Sequence, residues 1–75
     1  MDKFIYPEPQ AVRSGSKVSW SYYKDQEEAI QASRMAEKEA EHLSRHGYDF
    51  GYQCPGNINF IRDGEYKNMY EVTMP

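Results

Sequence analysis

The stretch DQEEAIQASRMAEKEAEHLSRHG, residues 25–47, decides the fold because it predicts one long amphipathic helix with a signal at each end. Asp25 can cap the first turn, and Glu28, three residues later, completes a capping box. Gly47 supplies the left-handed residue that commonly follows a helix. No proline or glycine interrupts residues 26–46, and good helix formers dominate them.

The apolar face of this helix consists mostly of small side chains. At 100° per residue, one face collects Ala29, Ala32, Ala36, Ala40 and Leu43. A stripe of methyl groups lets the helix axis come close to large side chains on a partner layer. The sequence offers six aromatic partners: Trp20, Tyr22, Phe50, Tyr52, Phe60 and Tyr70. We therefore expect small residues on the helix to pack against large residues on a sheet.

Residues 17–24 alternate between apolar and polar side chains and predict the first strand. Val18, Trp20 and Tyr22 share one face, which we expect to point toward the helix. Tyr23 then falls on the polar face, beside the start of the helix.

Two further stretches predict strands after the helix. Residues 48–54 alternate and would place Cys54 on the core side, although Gly51 indicates a bulge or a close backbone approach. The turn signal at residues 55–57 opens a third strand through residues 58–62.

The apolar pattern selects the register of the last hairpin. A two-residue turn at Asp63-Gly64 would leave Tyr70 and Val72 beyond the end of the third strand. A five-residue loop, residues 63–67, instead pairs Phe60 with Tyr70 and Ile58 with Val72. We predict the longer loop because a one-residue slip would invert every side chain.

The expected fold is a two-layer α+β domain, with one amphipathic helix packed on a small, mainly antiparallel sheet in the order β-α-β-β-β. The first two strands could be parallel neighbours or be separated in the sheet. Residues 17–75 form this single domain, and residues 1–16 are an extended or flexible N-terminal segment with two prolines. Phe4–Tyr6 could dock on the domain, pair with a sheet edge or await a partner.

Composition favours a cytoplasmic protein without a membrane segment. The chain has 75 residues, a net charge of −3 and one cysteine, which excludes an internal disulfide. No apolar run approaches the ~20 residues of a membrane span, and residues 1–3 open no signal peptide. The acidic balance argues against a non-specific nucleic-acid binder.

We find no credible active site, cofactor site or metal site in the sequence. His42 and His46 have the spacing of a metal-binding pair, and Cys54 could be a third ligand, but the helix dipole explains histidines at a helix end. Thiol catalysis by Cys54 lacks an orienting group, so a buried or half-buried structural thiol is expected. The helix carboxylates lie at ion-pair spacing from basic residues.

The aromatic residues carry the functional signal. The chain has eleven aromatic residues, and six or seven of them are enough to fill the core. The candidates for a partner-binding surface are Phe4, Tyr6, Tyr23, Tyr48 and Tyr66. We expect a non-enzymatic, regulatory or accessory module, typical of bacteria or their phages, that is a homodimer and binds another protein.

The alternative is a protein that binds single-stranded nucleic acid. Sheet tyrosines would stack on bases, with Arg13, Lys17, Lys24 and Arg62 near the phosphates. This hypothesis predicts an affinity that falls steeply with salt.

Overall fold

The computed structural model of the protein describes residues 4–75 and contains one helix packed on a four-stranded antiparallel sheet. In chain order the elements are β1 (Ala11–Ser14), β2 (Ser19–Tyr23), α1 (Gln26–Arg45), β3 (Ile58–Phe60) and β4 (Tyr70–Met74). The sheet order is β1-β2-β4-β3, so β4 pairs on both sides and lies inside the sheet. The predicted two-layer α+β fold is confirmed.

The ends of α1 follow the sequence signals. The Asp25 side chain accepts a hydrogen bond from the Glu27 backbone N–H at 3.2 Å, as an N-cap does. At the other end, Gly47 has a φ of +91°, and the Tyr48 N–H donates to the Leu43 carbonyl at 3.0 Å. This pairing satisfies a carbonyl that the helix itself leaves free.

The alanine stripe of α1 lies on the sheet, mainly over β4. Ala29, Ala32 and Ala36 are fully buried. They form one core cluster with Tyr23, Val72 and Met74. Of the six expected aromatic partners, Tyr70 packs against this cluster. Small residues on the helix therefore pack against larger side chains on the sheet, as predicted. Most of these larger side chains, however, are not the six aromatic residues that were expected.

The predicted register of the last hairpin is confirmed. Ile58 pairs with Val72, and Phe60 pairs with Tyr70. This register places Val72, which is fully buried, beneath the helix. The apolar pattern decided the register because only this pairing puts both apolar pairs on the buried face.

A glycine lets the chain before β3 come close to the helix. Gly56 has a φ of +96°, and a Cβ added there would overlap Glu37 Cγ and lie 3.0 Å from the Ser33 carbonyl oxygen. The Ser33 hydroxyl donates to the Gly56 carbonyl, and the Gly56 N–H donates to the Thr73 carbonyl at 2.8 Å. Gly56 thus joins α1 to β4.

The fourth strand of the sheet comes from the N-terminal segment. β1 pairs with β2 as an edge strand, and the Gly15 N–H donates to the Val18 carbonyl at 2.8 Å where the chain turns between them. Two strands therefore precede α1 and two follow it, whereas the predicted order was β-α-β-β-β, with one strand before the helix and three after it. Residues 1–3 of the predicted segment 1–16 lie outside the described residues.

The predicted orientation of β2 is wrong. Tyr23 belongs to the core cluster, whereas Trp20 and Tyr22 lie on the sheet face away from α1. Antiparallel partners share a face, and Tyr22 pairs with Glu71 outside the core cluster. Tyr22 is nevertheless only 1% exposed because Tyr66 stacks on it, with ring centroids 3.8 Å apart. Both faces of β2 thus bury an aromatic ring.

The strand predicted over residues 48–54 is also wrong, because these residues form a loop. The Asp49 side chain accepts a hydrogen bond from the Gly51 N–H at 2.8 Å, and Gly51 has a φ of +67°. These two features end any extended conformation. Tyr52 and Cys54 are consequently exposed instead of facing the core.

Candidate protein-interaction surface

Two of the five predicted partner-binding residues fasten the N-terminal segment to the domain. The Tyr23 hydroxyl donates to the Pro7 carbonyl at 2.9 Å, and the Tyr6 hydroxyl donates to the Glu39 carboxylate. Burial raises the pKa of both phenols, and the bond to Glu39 raises that of Tyr6 further. The expectation that Tyr23 is exposed is wrong, since it is 1% exposed.

Phe4 and Tyr66 are also engaged in contacts within the chain. The Phe4 ring lies against His42, with centroids 5.9 Å apart. One face of the Tyr66 ring stacks on Tyr22, at an interplanar angle of 9°. Neither residue is more than half exposed, so each offers a partner only part of its surface.

Tyr48 is the predicted residue that lies beside an open surface. It is 44% exposed, and its hydroxyl donates to the Lys17 carbonyl at 2.9 Å, which ties the loop to the start of β2. Its ring packs against Phe50 with centroids 4.6 Å apart. Together with the turn at Gly51, these contacts tie residues 48–51 to the domain.

This loop and the start of β2 enclose a groove of about 260 Å³, which we call the aromatic groove. Its lining residues are Ser16, Lys17, Val18, Trp20, Phe50, Gly51, Tyr52 and Gln53. Tyr52 has a relative exposure of 103%, so its ring makes essentially no contact with the rest of the chain. A wholly exposed tyrosine beside a half-buried tryptophan is typical of a binding surface.

Two cations flank the groove. The Arg13 guanidinium lies over the Trp20 ring, 4.3 Å from its centroid. Arg13 and Lys17 each face a carboxylate at long range: Arg13 lies 3.7 Å from Glu71, and Lys17 lies 3.9 Å from Asp49. Both basic side chains are about half exposed, so these ion pairs contribute little stability and leave donors free.

The three aromatic residues of the groove lining were predicted to lie elsewhere. Trp20, Phe50 and Tyr52 were assigned to the core because they fall on alternating positions. The signal that could have found them is the Asp49-Phe50-Gly51 sequence, in which an aspartate two residues before a glycine favours a turn over a strand. Lys17 was predicted only as a contact for nucleic acid.

A second cavity, of about 230 Å³, lies between the N-terminal segment and the sheet. Its aromatic lining residues are Tyr6 and Tyr23, whose hydroxyls are already bonded within the chain. The aromatic groove is the better candidate because the Tyr52 ring on its rim is fully exposed.

The residues considered for metal binding or thiol chemistry do not converge. The His42 and His46 rings lie near each other, with centroids 4.6 Å apart, while Cys54 is exposed at the end of the loop. Among residues 4–75, no group of three or more His, Cys, Asp or Glu side chains is arranged to hold a metal ion.

Comparison of the chain with protein-family models, with curated proteins and with solved structures finds no match. No helix in the described part of the chain combines the length and the apolar character that crossing a membrane requires.

Proposed function

We propose that the protein is a non-enzymatic interaction module that binds another protein through the aromatic groove. The observation that carries this proposal is the complete exposure of Tyr52 next to Trp20 and Phe50. Tyrosine and tryptophan rings contribute strongly to binding when a partner buries them, because each combines a large apolar area with a hydrogen-bonding group.

The shape of the groove supports the same proposal. The loop is held by the Tyr48 hydroxyl bond and by the Asp49–Gly51 turn, so little backbone entropy is lost when a partner binds. We place the binding surface at Trp20, Tyr48, Phe50 and Tyr52 with Lys17, and we assign Tyr6 and Tyr23 to holding the N-terminal segment.

Photocrosslinking in the native cell tests this proposal. A benzophenone amino acid replaces Tyr52 in one variant and Val12 in a matched control. Val12 is 56% exposed on β1 and does not line the groove, so it reports non-specific encounters. We expect one defined crosslinked protein from position 52 and none from position 12. Equal crosslinking at the two positions, or none at position 52, would refute the proposal.

Single-stranded nucleic acid is the second candidate ligand, and the placement of Arg13 over Trp20 favours it. Two observations argue against nucleic acid. The net charge is −3, and one face of the Tyr66 ring is stacked on Tyr22 and so cannot stack on a base. A labelled oligonucleotide titrated at several salt concentrations distinguishes the two: we expect no saturable binding at physiological salt. Tight binding with a steep salt dependence would support nucleic acid instead.

We further propose that the protein is a cytoplasmic homodimer. A domain of 75 residues buries a small core, and association would cover exposed apolar side chains such as Ile5 and Phe60. Light scattering is expected to give twice the chain mass of 8.8 kDa. A mass of 8.8 kDa at all concentrations would contradict the dimer without bearing on the groove.

A further inference from the structure

We propose that the ligand of the aromatic groove is an extended, proline-containing peptide segment that carries an acidic side chain. This inference rests on the proposed function and specifies the chemistry of its partner. Its two components are the aromatic rings, which select proline, and the two flanking cations, which select a carboxylate.

The charge of the groove differs from that of the chain around it. The chain carries −3 overall, with five glutamates on α1, yet Lys17 lines the groove. Arg13 lies outside the lining, over the Trp20 ring, where its Nε donates to the Tyr22 hydroxyl at 3.2 Å. Lys17 has three donors, and its single ion-pair partner in the described residues, Asp49, lies 3.9 Å away. A carboxylate from a peptide can therefore bind Lys17 without breaking a short bond.

The position of Trp20 in the sheet decides how a peptide can bind. Trp20 is on β2, which pairs with β1 on one side and β4 on the other, so its backbone groups are not free to accept an added strand. Side-chain contacts with the exposed rings must then supply the affinity. A polyproline II segment binds in this way, because its proline rings lie in grooves lined by aromatic side chains.

A peptide fits this groove better than a nucleic acid does. Both cations lie within 4 Å of a carboxylate of the chain, Asp49 or Glu71. One acidic side chain needs only one free donor, whereas a strand of phosphates brings several charges close to both carboxylates.

The single tryptophan of the chain makes the test direct. Trp20 is the only tryptophan and lines the groove, so its fluorescence reports occupancy by a peptide that has no aromatic residue. The probe is a ten-residue peptide of alternating proline and glutamate. The two comparison peptides replace every glutamate by glutamine or by lysine.

We expect the glutamate peptide to shift the Trp20 emission saturably and to bind about tenfold more tightly than the glutamine peptide. The charge reversal Lys17→Glu should weaken binding of the glutamate peptide by about tenfold and restore some binding of the lysine peptide. Lys24→Glu is the matched control, because Lys24 is exposed beyond the end of β2 and does not line the groove. The fold should survive Lys17→Glu, since Tyr48 bonds the carbonyl of residue 17 and not its side chain.

Three outcomes of these binding experiments would contradict the peptide proposal. Equal binding of the glutamate and glutamine peptides would refute recognition of an acidic side chain. No emission change with any peptide, together with a positive crosslink from position 52, would overturn the peptide proposal while the proposed function stands. Displacement of the bound peptide by a short oligonucleotide at physiological salt would replace the peptide by nucleic acid as the ligand.

Discussion

The close approach at Gly56 predicts a large loss of stability for Gly56→Ala. The added Cβ would lie 3.0 Å from the Ser33 carbonyl oxygen, which is part of the helix backbone and cannot move aside alone. Glu37 would also have to shift, and the bonds from Ser33 to Gly56 and from Gly56 to Thr73 would lengthen. Gly64 is the matched control: its φ is +91°, close to the +96° of Gly56, but no atom lies within 4 Å of its added Cβ.

The expected loss of unfolding free energy in Gly56→Ala has two contributions. Alanine is less stable than glycine in a left-handed backbone conformation, but it also lowers the conformational entropy of the unfolded chain. The net cost of the substitution is about 1 kcal/mol. Both variants lose this amount. Gly56→Ala loses a further ~1–3 kcal/mol through overpacking against the helix. For a domain of this size, each kcal/mol lowers Tm by roughly 4–8 °C, so the two variants should differ by at least about 4 °C.

Urea denaturation followed by far-ultraviolet circular dichroism and by Trp20 fluorescence measures both variants. The free energy of unfolding should fall by about 1 kcal/mol in Gly64→Ala and by roughly 2–4 kcal/mol in Gly56→Ala. Gly47→Ala, with a φ of +91° and open space around it, should behave like Gly64→Ala. Equal losses in all three variants would mean that residue 56 does not approach the helix as described.

Three further predictions test the helix and the buried phenols. Ala36→Leu should destabilise the domain by roughly 1–3 kcal/mol because Ala36 is fully buried against the sheet; an unchanged midpoint of denaturation would show that the stripe does not pack there. Asp25→Ala should cost about 1 kcal/mol of unfolding free energy as a lost N-cap, and no loss would place the start of the helix elsewhere. Burial raises the pKa of Tyr6 and Tyr23 in the folded chain. Above about pH 10 the unfolded chain therefore loses its phenol protons before the folded chain does. The free energy of unfolding should stay constant up to that pH and fall above it. Tyr6→Phe should flatten that alkaline decline in denaturation experiments between about pH 8 and 11; an unchanged slope would contradict the assignment.

The features that the sequence predicts correctly are those governed by local chemistry or by a strong pattern. The limits of α1 follow from Asp25 and Gly47, whose cap interactions involve only neighbouring residues. The register of β3 against β4 follows from four apolar positions that leave one consistent pairing. Both results required no knowledge of distant parts of the chain.

The orientation of β2 could not be predicted in the same way, because it depends on distant residues. Tyr22 and Tyr23 are adjacent tyrosines on opposite faces, so alternation gives either face an aromatic ring. Tyr66, far along the chain, covers Tyr22, and the N-terminal segment offers the Pro7 carbonyl to Tyr23. These tertiary contacts decide which tyrosine faces the helix.

The candidate site was missed for a different reason. Residues 48–54 alternate as a strand does, and this pattern outweighed the turn chemistry of Asp49 and Gly51 in the sequence analysis. Once the segment is a loop, Phe50 and Tyr52 move from the predicted core to the surface. Of the five residues predicted to bind a partner, Tyr48 alone belongs to that loop.

The position of β4 in the middle of the sheet has a consequence for folding during synthesis. Residues 70–74 pair with β2 on one side and β3 on the other, and Val72 and Met74 fill the core beneath α1. The β1–β2 hairpin and α1 emerge from the ribosome first, but the strand that carries Val72 and Met74 cannot join them until residue 74 has left the exit tunnel. The alanine face of α1 and Tyr23 therefore stay exposed to chaperones for the whole of that interval.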